Sequence, residues 1–400
     1  MCSLPSDDRQ RLAIRTAALE FHGATGANRE QLLAYNERRF DHDTLAFPLA
    51  FPLASEPHLA AWRAYIEEAG EGPVFPVLRD KLVQLQFPIE QGISNSDTYR
   101  AATRRGIVAK RDQSVGLELL RPADITLTLH LSLAGEIPVL VIPERADFIT
   151  VVQALTQRNE PTAIPDSMGA AMVAGLNNWD RVRQYRVEWE NAHAGEVTEY
   201  AWNTAFSQMV PRKELYQDRL ILLSDGPYSG VAANPLGLDD DVWRKCSLHI
   251  RREHESTHYF TQRMLGSMRN HLLDELLADY RGIVAANGAF RVDWLLHFMG
   301  LENEGRYREG GRLQNYCGDP PFSETAFAVL QNLVRAAAEN LATFDAQLDK
   351  AHSTPLGQAL TLLCISYFTI EELAAADSPD RLRHLLDKLE SRQTEKTGSV

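Results

Sequence analysis

One long helical stripe in the second half of the chain constrains the fold more than any other feature. From Asp240 onward, residues that suit a buried face recur every three or four positions, which is the spacing of one face of an α-helix. Aspartates at positions 239–241 supply an N-cap and an acidic first turn that suits the helix dipole. The stripe consists of Trp243, Ser247, Ile250, His254, His258, Thr261 and Leu265. The sequence therefore predicts a long helix that directs two histidines into the protein interior.

These two histidines belong to an H-E-x-x-H pattern formed by His254, Glu255 and His258. The histidines are one helical turn apart on the same face, so both imidazoles can reach a single metal ion. Glu255 is rotated by about 100° from His254, which suits a general base that accepts a proton from metal-bound water. The alternative is a pair of buried histidines that bond to backbone or carboxylate groups.

A second helix supplies candidates for a third metal ligand. Residues 266–270 read as a helix stop and a short turn, so the helix that opens near His271 runs back antiparallel to the first. Counting the rise along both helices returns Glu275 to the level of the histidines. Asp279, one turn further, is placed to accept a hydrogen bond from a ligand histidine. Asp274 is expected to point towards the other side, and His271 is the alternative third ligand.

The two segments together resemble the gluzincin clan of zinc metallopeptidases, which have the thermolysin-like arrangement. The resemblance covers about forty residues, from His254-Glu255-Ser256-Thr257-His258 to Glu275-Leu276-Leu277-Ala278-Asp279. It implies Zn²⁺ bound by His254, His258 and Glu275, with Glu255 as the general base and Asp279 as the support of a ligand histidine. The metzincin pattern is excluded, because no third histidine follows the motif at the short distance beyond a glycine.

The charged residues Arg251, Arg252 and Glu253 precede the motif, where such enzymes usually carry uncharged residues. Arg251 shares the face of the histidines one turn earlier. It can form an ion pair with Glu275 or Asp279, or bind a carboxylate of the substrate.

Two further segments are candidates for substrate contacts. A Gly- and Arg-rich stretch at 300–321 is predicted to be a loop that folds over a cleft and donates a hydrogen bond to an oxyanion. The candidate donors in or near it are Tyr307, Tyr316, His297, Arg306 and Arg312. Residues 228–233 are predicted to form a strand that offers its edge to an extended peptide.

The rest of the chain predicts an α+β, zincin-like fold with a small mixed or antiparallel sheet, an active-site helix and a mainly helical C-terminal half. Alternating apolar residues predict a hairpin of strands near 125–131 and 137–142, and a short strand is predicted at 220–223. The predicted regions are 1–115, mainly helical; 116–265, α+β and ending in the motif helix; and 266–400, helical and carrying the third ligand.

Composition narrows the function. The formal net charge of −13 argues against a nucleic-acid partner. The four cysteines are scattered, so a metal would be held by histidine and carboxylate rather than by thiolates. No apolar run is long enough for a bilayer, and the first residues lack the pattern of a secretory signal, so we expect a cytoplasmic protein with no membrane partner.

These observations predict a zinc-dependent hydrolase of a peptide or small amide, with Glu255 as the base. Two alternatives stay open. One is a metalloenzyme that acts on a small metabolite in a specialised pathway, and the other is a non-catalytic protein with a structural zinc site.

Overall fold

The computed structural model describes residues 8–107, 116–193, 195, 197–267 and 272–395. The chain divides into two compact units, which are Met1–Leu53 with Pro227–Val400, and Ala54–Gly226. This division differs from the three consecutive regions that the sequence suggested, because the first two helices pack against helices near the carboxyl end.

The described residues form a mixed α+β protein in which helices predominate. The strands are β1 (Thr126–Ser132), β2 (Gly135–Ile142), β3 (Ala170–Asn177) and β4 (Gln217–Ser224). The helices are α1 (Asp8–Phe21), α2 (Gly26–Tyr35), α3 (Leu59–Ala69), α4 (Val74–Lys81), α5 (Asp97–Arg105), α6 (Arg145–Thr156), α7 (Trp179–Ala192), α8 (Glu199–Met209), α9 (Asp240–Leu265), α10 (Leu272–Asn287), α11 (Val292–Met299), α12 (Glu324–Asp345), α13 (Pro355–Ser366), α14 (Ile370–Ala374) and α15 (Ser378–Glu395).

The unit formed by residues 54–226 contains a four-stranded mixed sheet in the order β1-β2-β4-β3. Strands β1 and β2 form the predicted antiparallel hairpin, with Ser132 opposite Gly135, while β2 and β4 are parallel. Strand β3 runs antiparallel to β4 on the other side. The apolar face predicted for β1 is only partly correct, because Leu127 is buried but Leu131 at the end of the strand is exposed.

The other unit, formed by residues 8–53 and 227–395 among those described, is helical and holds the predicted motif. Helix α9 begins after the N-cap position Asp239 and ends at Leu265. The next residue, Gly266, has a φ of +68°, in the left-handed region that commonly ends helices. Helix α10 returns along α9 and packs closely on it. Gly282 permits this approach, since a Cβ atom there would lie 3.0 Å from both Cγ2 and the backbone oxygen of Ile250.

The predicted strand at residues 228–233 is wrong. Tyr228–Gly230 forms a single 3-10 turn, and Ser229 adopts φ +52° and ψ +22°. This left-handed conformation is incompatible with a continuous strand. The turn instead buries the Tyr228 side chain against α9 and α11.

Candidate metal centre

Three buried side chains converge where α9 and α10 face each other. His254 and His258 lie one turn apart on α9, and Glu275 comes from α10, as the counting of helical rise predicted. The two Nε2 atoms are 3.1 Å apart. Glu275 Oε2 lies 3.5 Å from His254 Nε2, and its Oε1 lies 3.6 Å from His258 Nε2. The three residues are only 6–8% exposed. This group can hold a metal ion.

The orientation of His254 is fixed from α10 and from the turn before α9. Asp279 Oδ1 accepts a hydrogen bond from His254 Nδ1 at 3.0 Å, which is the contact expected for this residue. The Tyr228 hydroxyl donates to the same Oδ1 at 2.6 Å and lies 2.9 Å from His254 Nδ1. Asp279 is fully buried, so it can hold the imidazole with its Nε2 directed at the cluster.

Asp274 performs the same task for the other histidine, and the expectation that it points away is wrong. Its Oδ2 accepts from His258 Nδ1 at 3.1 Å, and its Oδ1 accepts from the Thr261 hydroxyl at 2.9 Å. The imidazole has a nitrogen on each side, so His258 can contact Glu275 through Nε2 and the preceding residue, Asp274, through Nδ1. The sequence prediction assigned this supporting role to Asp279 only.

These hydrogen bonds define which nitrogens carry protons. A carboxylate can only accept, so the Nδ1 atoms of both histidines are donors. The two Nε2 atoms of the neutral imidazoles therefore carry no proton, and their lone pairs face each other and Glu275. With the two Nε2 atoms 3.1 Å apart beside a carboxylate, these lone pairs repel one another. The arrangement therefore requires a positive charge at this point, either a proton or a metal ion.

The electrostatics of the cluster agree with this requirement. Burial alone would lower the pKa of His258, but the carboxylates of Asp274, Glu275 and Glu255 outweigh it and raise that pKa to about 10. Burial would raise the pKa of Glu275, yet the two histidines hold it well below its usual range. The centre thus keeps its carboxylate ionised and attracts cations.

Glu255 lies in the same buried environment without being one of the three converging residues. Its side chain is half-buried, and its nearest charged influences are His258, His254 and Glu275. Burial raises the pKa of its carboxyl group, while the two histidines act in the opposite direction. A carboxyl group with a raised pKa beside a cation site is suited to exchanging protons.

A 3-10 helix at Arg312–Tyr316 brings two further side chains to the centre. Arg312 donates to the Tyr228 hydroxyl at 2.8 Å and pairs with Asp279 Oδ2. Tyr316 is buried, and burial together with the nearby Glu275 carboxylate raises the pKa of its hydroxyl. Both residues were among the candidates that the sequence placed in this stretch.

Other predicted substrate contacts lie elsewhere. The Tyr307 hydroxyl donates to Gly311 O at 2.5 Å and so holds the turn of its own loop. The Arg251 guanidinium donates to Pro227 O at 2.7 Å and lies over the Tyr228 ring, 5.8 Å from its centroid. His297 hydrogen-bonds the backbone of its own helix, and the Arg306 side chain is exposed. His271, the alternative third ligand, lies outside the described residues.

The fold and the site define a mixed α+β protein with a buried two-histidine, one-glutamate centre that can hold a metal ion. The chain belongs to a family described as a family of unknown function (DUF7005), which matches residues 17–377. Neither the curated proteins nor the solved structures give a match. Among the helices of the described ranges, none combines the length and the apolar character that a bilayer crossing requires.

Proposed function

We propose that this protein is a zinc-dependent hydrolase that cleaves an amide bond. The observation that carries the proposal is the spacing of the ligand atoms, at 3.1, 3.5 and 3.6 Å. In a tetrahedral site with zinc–ligand distances of about 2.0–2.1 Å, neighbouring ligand atoms lie about 3.3–3.4 Å apart. Two histidines and one carboxylate also match the donor set of catalytic zinc sites, which leave one position open.

The assignment of roles follows from the side chains around the centre. Zinc bound by His254, His258 and Glu275 would supply a Lewis acid that polarises a carbonyl and makes water more acidic. Glu255 takes up the proton of the attacking water at its carboxylate and then delivers it to the leaving nitrogen. Asp279 and Asp274 keep both Nδ1 atoms protonated and both rings fixed.

Tyr316 is the candidate donor to the oxyanion that forms on the attacked carbonyl. It is buried, and burial together with the nearby Glu275 carboxylate raises the pKa of its hydroxyl. The other predicted tyrosine, Tyr307, already donates to Gly311. A hydroxyl beside the ligands stabilises developing negative charge without a separate cation.

Two classes of substrate fit this chemistry, and two observations bear on the choice between them. The proposed resemblance to gluzincin peptidases favours a peptide, for which a neighbouring strand edge provides main-chain hydrogen bonds. The segment predicted to supply that edge, residues 228–233, begins with a 3-10 turn and is not one of the four strands of the described sheet. The ligands are also largely buried. These two features favour a small amide metabolite as the second candidate.

The proposal is tested by measuring metal content and turnover on the same preparations. We expect about one zinc per chain by plasma emission in the wild type, and its loss in the His258→Ala variant. The Glu255→Gln variant should retain zinc but lose turnover by about 10²-fold or more, whereas Glu339→Gln, at an exposed position on α12, should leave both unchanged. Both peptide and small-amide libraries should be screened.

Two results would contradict the proposal. If the wild-type protein remained free of metal after reconstitution, the proposed metal centre would be contradicted. Full turnover by the Glu255→Gln variant would contradict the role of Glu255 as the general base.

A further inference from the structure

One short segment reaches the surroundings of two of the three ligand residues. At its start, the 3-10 helix Arg312–Tyr316 contacts Asp279, which holds His254. At its end lies the buried Tyr316, and burial together with the Glu275 carboxylate raises the pKa of its hydroxyl. We propose that Arg312 and Tyr228 are positioning residues that couple metal affinity to the seating of this segment on the metal centre. The inference requires metal binding at the proposed site but does not depend on the hydrolytic reaction.

The Tyr228 hydroxyl is the junction of this arrangement. It donates to Asp279 Oδ1 at 2.6 Å and accepts from Arg312 Nη1 at 2.8 Å. The second oxygen of Asp279 accepts from Arg312 Nη2. We call these three residues, Tyr228, Asp279 and Arg312, the His254 clamp. All their polar contacts are buried or nearly so, which makes each hydrogen bond sensitive to the loss of a partner.

The planar guanidinium group of Arg312 joins the other residues of the clamp. The guanidinium contacts three residues, because Nη1 lies 2.8 Å from the Tyr228 hydroxyl and 3.2 Å from Ser229 Oγ, and Nη2 donates to Asp279 Oδ2. Ser229 has a φ of +52°, a left-handed conformation that costs a non-glycine residue about 1 kcal/mol or more. The guanidinium therefore helps to hold the turn that presents the Tyr228 hydroxyl to His254. A lysine ammonium would offer one donor centre in place of this fork.

The loop before Arg312 is built to hold it at this position. Gly300 and Gly311 cross so closely that a Cβ atom on Gly311 would lie 2.5 Å from Gly300 Cα. Arg308 N donates to Gly300 O at 2.8 Å within the same crossing. Gly311 directly precedes Arg312, the first residue of the 3-10 helix. The crossing of the two glycines therefore fixes the position of the backbone that carries this arginine.

The two histidine ligands are consequently held in different ways. His258 is held by Asp274, whose other partner, Thr261, belongs to the same helix as the histidine. His254 is held through the clamp, which draws on a turn before α9 and on the segment after α11. Because linkage is reciprocal, a segment that improves metal binding must itself be stabilised when metal binds.

The test compares zinc affinity in clamp variants and matched controls. Zinc affinity is measured by competition with a chelator, and unfolding of the metal-free protein is followed in urea. We expect Arg312→Met and Tyr228→Phe each to weaken zinc binding by about 10- to 100-fold, as loss of outer-shell partners usually does. Arg312→Lys should recover part of the loss. The double variant should lose less than the product of the two single losses, because both variants open one clamp.

Two controls share the local chemistry without contacting the centre. Arg291 has an ion pair with Asp293 and lies over the Trp294 ring, so Arg291→Met repeats the loss of a guanidinium. Tyr280→Phe removes a hydroxyl that donates to Asp345 Oδ1 at 2.6 Å. We expect both controls to keep wild-type zinc affinity, whatever they do to the stability of the metal-free protein.

Cobalt(II) provides a readout that a purely structural role would not change. In the Tyr228→Phe variant, the visible bands of bound cobalt should shift relative to the wild type, because the orientation of a ligand imidazole changes. Zinc should also slow amide hydrogen exchange in residues 300–316 of the wild type, and do so less in Arg312→Met.

The outcomes separate this inference from the proposed function. Unchanged zinc affinity and an unchanged cobalt spectrum in both clamp variants, with metal bound by the wild type, would overturn the clamp and leave the hydrolase intact. Weakened metal binding in the variants, combined with no hydrolysis by the zinc-loaded wild type, would support the clamp and count against the hydrolase. A wild type that binds no metal would overturn both.

Discussion

Asp274 is the residue whose replacement tests the metal centre most directly, because a substitution can remove its charge and keep its shape. In Asp274→Asn, the amide oxygen can still accept from His258 Nδ1, and the amide nitrogen can donate to the Thr261 hydroxyl, which is also a donor to His258 O. Both hydrogen bonds survive, so the change isolates the effect of the negative charge on His258 as a ligand.

The expected loss of zinc affinity can be worked out because the asparagine variant changes the charge and keeps the hydrogen bonds. Replacement of an outer-shell carboxylate typically weakens metal binding by about 10- to 100-fold, equivalent to about 1.4–2.7 kcal/mol. In Asp274→Ala, His258 Nδ1 also loses its acceptor in a buried environment, which costs about 1–3 kcal/mol, while the Thr261 hydroxyl can still donate to His258 O. The alanine variant should therefore bind zinc more weakly than the asparagine variant and also have a lower melting temperature.

The assay is zinc competition with a chelator at constant pH, with circular dichroism to verify folding. Asp293→Asn serves as the control, because Asp293 pairs with Arg291 at an exposed position. If Asp274→Asn bound zinc as tightly as the wild type while Asp293→Asn did the same, the charge of Asp274 would have no effect on the centre. The reasoning that the negative charge of Asp274 strengthens His258 as a metal ligand would then be refuted.

Two further predictions concern packing and pH. Gly282→Ala places a Cβ atom 3.0 Å from Ile250, so we expect the cost of overpacking to exceed the gain in helix propensity. The free energy of unfolding, measured in urea, should fall by about 1–2 kcal/mol. An unchanged free energy of unfolding would contradict the close approach of the two helices. Burial and the nearby Arg38 lower the pKa of His42 to about 3, while its Nε2 lies 2.8 Å from Ser366 Oγ. The unfolded chain therefore binds the extra proton first, so stability should fall by about 2 kcal/mol between pH 7 and pH 5, and His42→Gln should remove that part of the slope.

The part of the site that lies on two neighbouring helices could be predicted from the sequence. The spacing of His254 and His258 fixes their common face, and the short connection after Gly266 fixes the antiparallel return. The level of Glu275 then follows from the rise per residue alone. Each of these steps uses local periodicity, which a single sequence contains.

The residues that support the histidines were harder to predict, because two of them lie outside the motif helices in sequence and are brought to the centre by tertiary packing. Tyr228 precedes α9 in a turn that was mistaken for a strand, since only the backbone angle of Ser229 reveals the turn. Arg312 was one of several candidates in its stretch, and the sequence contains no distance that separates it from Arg306. Asp274 was placed wrongly because helical phase was applied to one imidazole nitrogen only. A ring with nitrogens on two edges can contact consecutive residues of the facing helix.

Two of the three charged residues before the motif, Arg251 and Glu253, have partners in the same packing. Arg251 and Arg312 both lie over the Tyr228 ring, at 5.8 and 5.3 Å from its centroid, within the range of a cation–π interaction. Glu253 is mostly buried and pairs with Arg281 on α10 at 3.0 Å. A charged residue next to the motif is therefore compatible with the centre wherever the neighbouring elements provide its partner. Arg251 supports the turn that carries Tyr228, so an uncharged residue at position 251 would remove the cation over that ring and one of the two hydrogen bonds to the Pro227 carbonyl.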